Sequence, residues 1–301
     1  MSELPKILVI GKSGQLARQL SELAPEFKKQ FHIDVLGRPD LDIVDRNSLA
    51  SVFEKLSPQY VINASAYTAV DKAESEPNAA FAVNALGVHY LVQACLEHKA
   101  QLIHISTDYV FDGIPPADKS PLETNHPVAP LGVYGSSKLA GEWAVQALLP
   151  DAIIIRTSWV YSHHGQNFVK AMLKFGVDRD EMRIVADQYG RPTNVSDLAH
   201  DLLTIISDMY MNGVNNRGGV YHYSNTGEAC SWYGFTKEIY RLATEKGLKA
   251  PSACIPIPSS DYPTPAKRPE WSVLSIDSIA QNFNLNVPSW KISLSRHFRD
   301  I

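Results

Sequence analysis

The chain enters on a short continuous apolar run, Lys6 to Ile10, and repeats that theme through its first half. Runs rich in Val and Ile recur at His32 to Leu36, Tyr60 to Asn63, Leu102 to Ser106 and Ala152 to Arg156. Between them lie helix-length amphipathic stretches at about 14–24, 45–56, 77–98 and 134–149. Apolar runs alternating with amphipathic stretches predict a parallel sheet covered by helices. The expected fold class is therefore α/β, a doubly wound parallel sheet of Rossmann type with its ligand crevice at the carboxyl ends of the strands.

Beyond about residue 160 the period loosens. Helices are expected at 166–175, at 196–211 and from Ser231 to Lys246, a strand from Gly219 to Tyr223, and a last helix near 288–299. The predicted division is a Rossmann domain of 1–160 with part of 195–223, and a smaller C-terminal lobe of 161–194 and 224–301 over the crevice. Of the 19 prolines, five lie in 115–130 and six in 251–269. Both stretches are expected to be loops, and because proline restricts φ, stiff walls of the site.

Composition narrows the class. The 301 residues are 45% apolar and 20% charged, near globular averages, which excludes a disordered or coiled-coil chain. A net charge of −4 gives no basic excess to draw the chain to nucleic acid. Cys95, Cys230 and Cys254 are odd in number and far apart, so they read as reduced thiols. No apolar run approaches the ~18 residues of a membrane span, and no signal-peptide core precedes Lys6. A cytoplasmic protein without membrane or nucleic-acid partners is expected.

The first run leads into Gly11-Lys12-Ser13-Gly14-Gln15-Leu16-Ala17 and then a helix. Glycine at 11 permits a tight turn, glycine at 14 a close approach to phosphate, and small Ala17 lets helix and sheet pack. An ordinary βα turn would read the same way. The second run ends Leu36-Gly37-Arg38 without an acidic tip. A carboxylate there would take the 2′-hydroxyl of NAD, whereas Arg38 can receive the 2′-phosphate of NADP. Arg38 thus favours NADPH, with NADH left open, and a solvated loop arginine is the bland alternative. Asp42, with Ile43 beside it, is placed on the adenine side, a loop-capping carboxylate being the alternative.

Ser106-Thr107-Asp108 closes the fourth run, and Tyr134-Gly135-Ser136-Ser137-Lys138 opens the next helix 27 residues after Thr107. Tyr and Lys at i and i+4 share one helical face, so the ammonium can stabilise a phenolate. A phenol with a pKa of roughly 10 needs that help near neutrality. Alone the pair is common; its weight comes from the glycine turn and the hydroxyl-bearing strand end that accompany it.

With those residues the chain resembles the extended short-chain dehydrogenase/reductases, and specifically the dTDP-4-dehydrorhamnose reductase family. The resemblance runs through Asn63-Ala64-Ser65-Ala66-Tyr67-Thr68-Ala69-Val70-Asp71-Lys72-Ala73-Glu74, Ser106 to Phe111, Arg156-Thr157-Ser158-Trp159-Val160-Tyr161, Asp187 to Thr193 and Tyr262 to Pro269. It implies reduction of the 4-keto group of dTDP-4-dehydro-L-rhamnose to dTDP-L-rhamnose by NADPH, in nucleotide-sugar and O-antigen biosynthesis. Tyr134 would be the general acid, Lys138 would hold the nicotinamide ribose and favour the phenolate, and Thr107 would bind the substrate oxygen. Gly11, Gly14, Gln15 and Leu16 would line the pyrophosphate, and Ala64, Ser65 and Ala66 the adenosine side. Tyr109, Trp159, Asn167 and Arg268 would contact the sugar nucleotide, although Trp159 could equally pack a core. Asn84 matches a helix asparagine of the superfamily or is simply satisfied by backbone.

Some relatives hold a divalent ion between subunits with acidic residues where this chain has Gln19 and Ser196. No metal ligand is therefore assigned, a bound ion stays uncertain, and monomer and homodimer both stay open. Related dehydratases follow their catalytic Thr with Asp-Glu, whereas Asp108 here precedes Tyr109, which argues against elimination. The remaining alternatives are a reductase of another 4-keto-deoxysugar nucleotide and a non-catalytic subunit resembling the regulatory subunit of methionine adenosyltransferase.

Overall fold

The computed structural model describes residues 4–213 and 217–299. Six parallel strands form the main sheet in the order Gly219–Tyr223, Ile153–Thr157, Gln101–Thr107, Tyr60–Asn63, Lys6–Ile10, His32–Leu36. Strand order reverses between Lys6–Ile10 and Tyr60–Asn63, which opens a crevice at their carboxyl ends.

Alternation along each strand divides the core between two faces. Ile7, Val9, Ile62, Ile103, Ile153 and Ile155 pack under helices Gln15–Phe27 and Val195–Asn212. Leu8, Ile10, Val61, Leu102 and Ile154 pack on the other face, against helices Arg46–Leu56, Val88–His98 and Val133–Leu148. Each fully buried aliphatic side chain stabilises the sheet by roughly 1.5–3 kcal/mol. The third helical stretch is not one uniform helix: Pro77–Phe81 runs into a π-helical segment, Ala82–Gly87, and then Val88–His98. By length and hydropathy Pro77–His98 is long and apolar enough to cross a membrane, but 44% of its most apolar window is buried, with Val88, Leu91, Val92 and Cys95 in the core.

A separate cluster joins helices Phe168–Asp178, Trp232–Glu245 and Trp290–His297 through Val169, Met172, Phe235, Ile239, Trp290 and Leu294. Helix Asp277–Phe283 packs instead on the large sheet, through Ile279 and Phe283 against Tyr221.

The proline-rich stretches differ from expectation in two ways. Within 251–269 the chain forms a strand, Ala253–Ile257, paired in parallel with Glu181–Val185. Pro256 is accommodated because this sheet has only two strands, so each is an edge that tolerates a missing N–H. The stretch 115–130 contains no named element but packs behind the site rather than lining it. Leu122 bridges to Leu274, and the Ser120 carbonyl accepts from the Trp271 indole at 3.2 Å. The three cysteines are free thiols.

Candidate active site

After Ile10 the chain turns through Gly11 at φ +117°. A Cβ there would lie 2.8 Å from the carbonyl carbon of Ala64, so glycine alone lets the two strand ends meet. Gly14 is the N-cap of helix Gln15–Phe27, and no side chain caps it. An uncapped N-terminus facing a crevice is suited to an anion.

That crevice, about 530 Å³, is lined by Gly11, Gly14, Arg38, Asp42, Ile43, Ala64, Ser65 and Ala66. Past Gly14 and Ala64–Ala66 it continues into a cavity of about 460 Å³ lined by Gln15, Leu16, Thr107, Asp108, Tyr109, Tyr134, Lys138 and Trp159. Tyr109 also lines a third cavity, about 430 Å³, with Phe168, Met172, Phe175, Met182, Trp232 and Arg268. Residues spaced across the chain thus line three adjoining cavities.

Three devices place Tyr134 and Lys138. The carboxylate of Glu74 accepts the N–H of Val133 at 2.8 Å, where negative charge suits the first turn of helix Val133–Leu148. Gly141 gives the helix close approach to the main-chain oxygen of Asn84, which a Cβ would meet at 2.2 Å. The side chain of Asn84, inside the π-helical segment, accepts from Tyr67 N–H at 2.8 Å and donates to Ser137 Oγ at 3.0 Å. Asn84 therefore ties the loop after Asn63 to the helix of Tyr134.

Burial pushes the Tyr134 phenol up to about 12, partly offset by the Thr107 hydroxyl. Burial lowers Lys138 to about 8, against the opposing charge of Glu142, and its ammonium donates to the Ile105 carbonyl at 2.7 Å. Thr107 Oγ1 donates to Asp108 Oδ1 at 3.0 Å and accepts from Tyr109 N–H at 3.2 Å. Asp108, buried and with Oδ2 unpartnered, is pushed up to about 6 by desolvation. A phenol, an ammonium and a hydroxyl converge here on the space beside the crevice, a set that can donate a proton to an oxygen and stabilise the resulting phenolate.

The remaining expected residues differ in their freedom. Arg38 is exposed at the crevice rim, while Asp42 Oδ1 accepts from Val44 N–H at 3.1 Å and so also holds its own loop. Arg268 gives Nη2 to Asp71 at 2.7 Å, and its Nη1 is buried and unpartnered, so the guanidinium is not presented as an open fork. Trp159, at φ +49°, stacks on Trp232 at 3.5 Å and 7° while still lining the cavity. Asn167 is not among the residues lining these three cavities. It caps helix Phe168–Asp178 by accepting from Lys170 N–H, and its amide donates to Gln15 Oε1 at 3.0 Å and to the Ser162 carbonyl at 2.8 Å. Among the described residues, no three histidine, cysteine or carboxylate side chains gather where a metal could be held.

Sequence reasoning missed Glu74, Glu142 and the apolar wall of Met172, Phe175, Met182 and Trp232. Met172, Phe175 and Trp232 were visible only as members of expected helices, and Met182 lay in no expected element. Glu142, eight residues after Tyr134 and four after Lys138, shared their helical face and could have been found by that spacing.

The family described as RmlD substrate binding domain matches residues 5–301. The chain belongs to this family. It is 41% identical over 294 residues to a dTDP-4-dehydrorhamnose reductase of Sinorhizobium fredii, covering 97% of this chain and 96% of that one. The dTDP-4-dehydrorhamnose reductase of Escherichia coli K12 is 36% identical over 297 residues, covering 98% and 97%. A crystal structure of the Bacillus anthracis dTDP-4-dehydrorhamnose reductase in complex with NADP superposes with a TM-score of 0.89 at 35% identity, covering 99% of this chain and 100% of that one. The family match spans the sheet, the glycine turn and the Tyr/Lys helix together.

Proposed function

We propose that this chain reduces the 4-keto group of dTDP-4-dehydro-L-rhamnose to give dTDP-L-rhamnose, using NADPH. The observation that carries the reading is the convergence of Thr107, Tyr134 and Lys138 on a cavity continuous with the Gly11–Gly14 turn, in a chain of the RmlD family.

The residues fit a dinucleotide. The Gly11 turn closes on Ala64 and Ser65 so that no side chain obstructs the uncapped helix start, and Arg38 stands at the far rim to meet a 2′-phosphate. Gln15 and Leu16 border the pyrophosphate region, with Asp42, Ile43, Ala64, Ser65 and Ala66 along the adenosine side. Bound NADPH supplies the hydride. Tyr134 gives its phenolic proton to the carbonyl oxygen as that oxygen gains charge, and Lys138, held as an ammonium, stabilises the phenolate left behind. Thr107 fixes the same oxygen by turning its hydroxyl from Asp108 toward the substrate. The third cavity takes the nucleotide: its apolar wall suits a base, and the Arg268 guanidinium in its lining supplies positive charge for a diphosphate. Trp159 then closes the sugar region, and Tyr109 joins the two cavities.

The test mixes purified protein, NADPH and dTDP-4-dehydro-L-rhamnose and follows nicotinamide absorbance. Substrate-dependent oxidation, with dTDP-L-rhamnose as product, is expected. A protein that binds NADPH and leaves this sugar nucleotide unreduced overturns the reading.

A further inference from the structure

Behind Tyr134 and Lys138 lies a buried ion pair that the reaction as described does not use. Glu142, fully buried, sits one helical turn beyond Lys138. Its carboxylate accepts from Arg156 Nε at 3.0 Å and Arg156 Nη2 at 2.7 Å, and from Ser106 Oγ at 2.5 Å. Ser106 and Arg156 are register partners on adjacent strands, and each immediately precedes a cavity-lining residue, Thr107 or Thr157. Arg156 also reaches the Thr124 carbonyl at 3.4 Å and lies over the Phe111 ring at 5.0 Å. One carboxylate therefore binds the Tyr134 helix to two strand ends at the level of the site.

Such a pair is not explained by stability alone. Taking both charges out of water is costly, and well-packed apolar residues of similar volume commonly stabilise as well or better. What apolar residues cannot do is place negative charge near Lys138. The ionisable groups around that ammonium are His104 on the strand beneath, Tyr134 and Glu142 on its own helix, Arg156 behind Glu142, and Asp108 beside Tyr134. Of these, Glu142 opposes the desolvation that drives Lys138 toward its neutral form.

We propose that Glu142 is a positioning residue for the reduction: clamped by Arg156 and Ser106, it holds the Tyr134 helix on the strand ends and sets a carboxylate one turn from Lys138. The proposal rests on the reading of Tyr134 and Lys138 given above.

The experiment measures kcat and KM against pH, with thermal melting, for the native protein, Glu142→Gln, Glu142→Asp, the double variant Glu142→Leu/Arg156→Met, and Lys138→Met. In the native protein kcat falls as pH rises through the Lys138 pKa, about 8. Glu142→Gln loses melting temperature, because Arg156 is left buried without a counter-charge, and the double variant recovers it. Both move the alkaline limb down by about a pH unit, roughly fivefold in kcat at pH 8, with the sugar-nucleotide KM little changed. Glu142→Asp retains the limb near its native position. A folded double variant with the native pH profile overturns the proposal. Should that variant not fold, identical limbs for the Gln and Asp variants overturn it equally. Native turnover in Lys138→Met would instead show that the catalytic reading itself is at fault.

Discussion

Gly135 is pressed against the main-chain carbonyl of Tyr109, so closely that a Cβ would lie 2.1 Å from that oxygen. The contact seats the first turn of the Tyr134 helix on the Asp108–Val110 turn and brings the Tyr134 and Tyr109 rings edge to face at 5.4 Å. In an exposed helix interior, Gly→Ala stabilises by roughly 0.8–1 kcal/mol. Gly135→Ala should do the reverse, destabilising by about 1–3 kcal/mol as the helix is forced off the turn. Turnover should fall on the order of 10²-fold from misplacement of Tyr134. Denaturant unfolding and steady-state kinetics check both, and a stabilised, fully active variant would remove this contact from the account.

Replacing Tyr134 with Phe keeps the ring packing and deletes the proton. Turnover should drop by roughly 10²–10⁴ with NADPH binding little altered. Cofactor titration beside the turnover assay separates loss of chemistry from loss of binding.

Arg38→Ala should raise the KM for NADPH by roughly tenfold or more, the worth of a charge-assisted hydrogen bond of ~1.5–3 kcal/mol, and leave NADH kinetics nearly unchanged. The quantity to compare is the NADPH-to-NADH ratio of kcat/KM. An unchanged ratio would leave Arg38 as a solvated loop residue.

Asp108 makes stability depend on pH in a direction opposite to most paired carboxylates. Its folded pKa, about 6, lies above the ordinary 3.8, so between those values the native state holds more protons than the unfolded one. Stability contributed by this group is therefore greatest in acid and is lost as pH rises through about 4 to 6. Asp108→Asn lacks the penalty, and its stability relative to the native protein should be larger at pH 7 than at pH 4. Urea unfolding at the two pH values measures the difference; equal differences would show that Asp108 is not held in this way.

Much of the site was legible because its residues sit where hydrophobic periodicity breaks. Gly11, Thr107 and Tyr134 each follow an apolar run or open a helix, and the strand runs predicted from Val and Ile all form. Side-chain partnerships were not legible. Nothing in the sequence shows that Arg268 is already half-committed to Asp71, or that Asn167 caps a helix and bonds Gln15. Short strands escaped for a different reason. Ala253–Ile257 contains a proline, and its pairing with Glu181–Val185 spans some seventy residues, beyond any local pattern.

The bond from Asn167 to Gln15 joins two helices that border different cavities. Gln15 is the first residue of the helix that follows the glycine turn, and Asn167 caps the helix whose Phe168, Met172 and Phe175 wall the third cavity. Gln15 Oε1 also accepts from Ser162 Oγ at 2.9 Å, so the strap between them is fastened at two points. One glutamine side chain thus fastens the helix after the glycine turn to the helix that walls the third cavity.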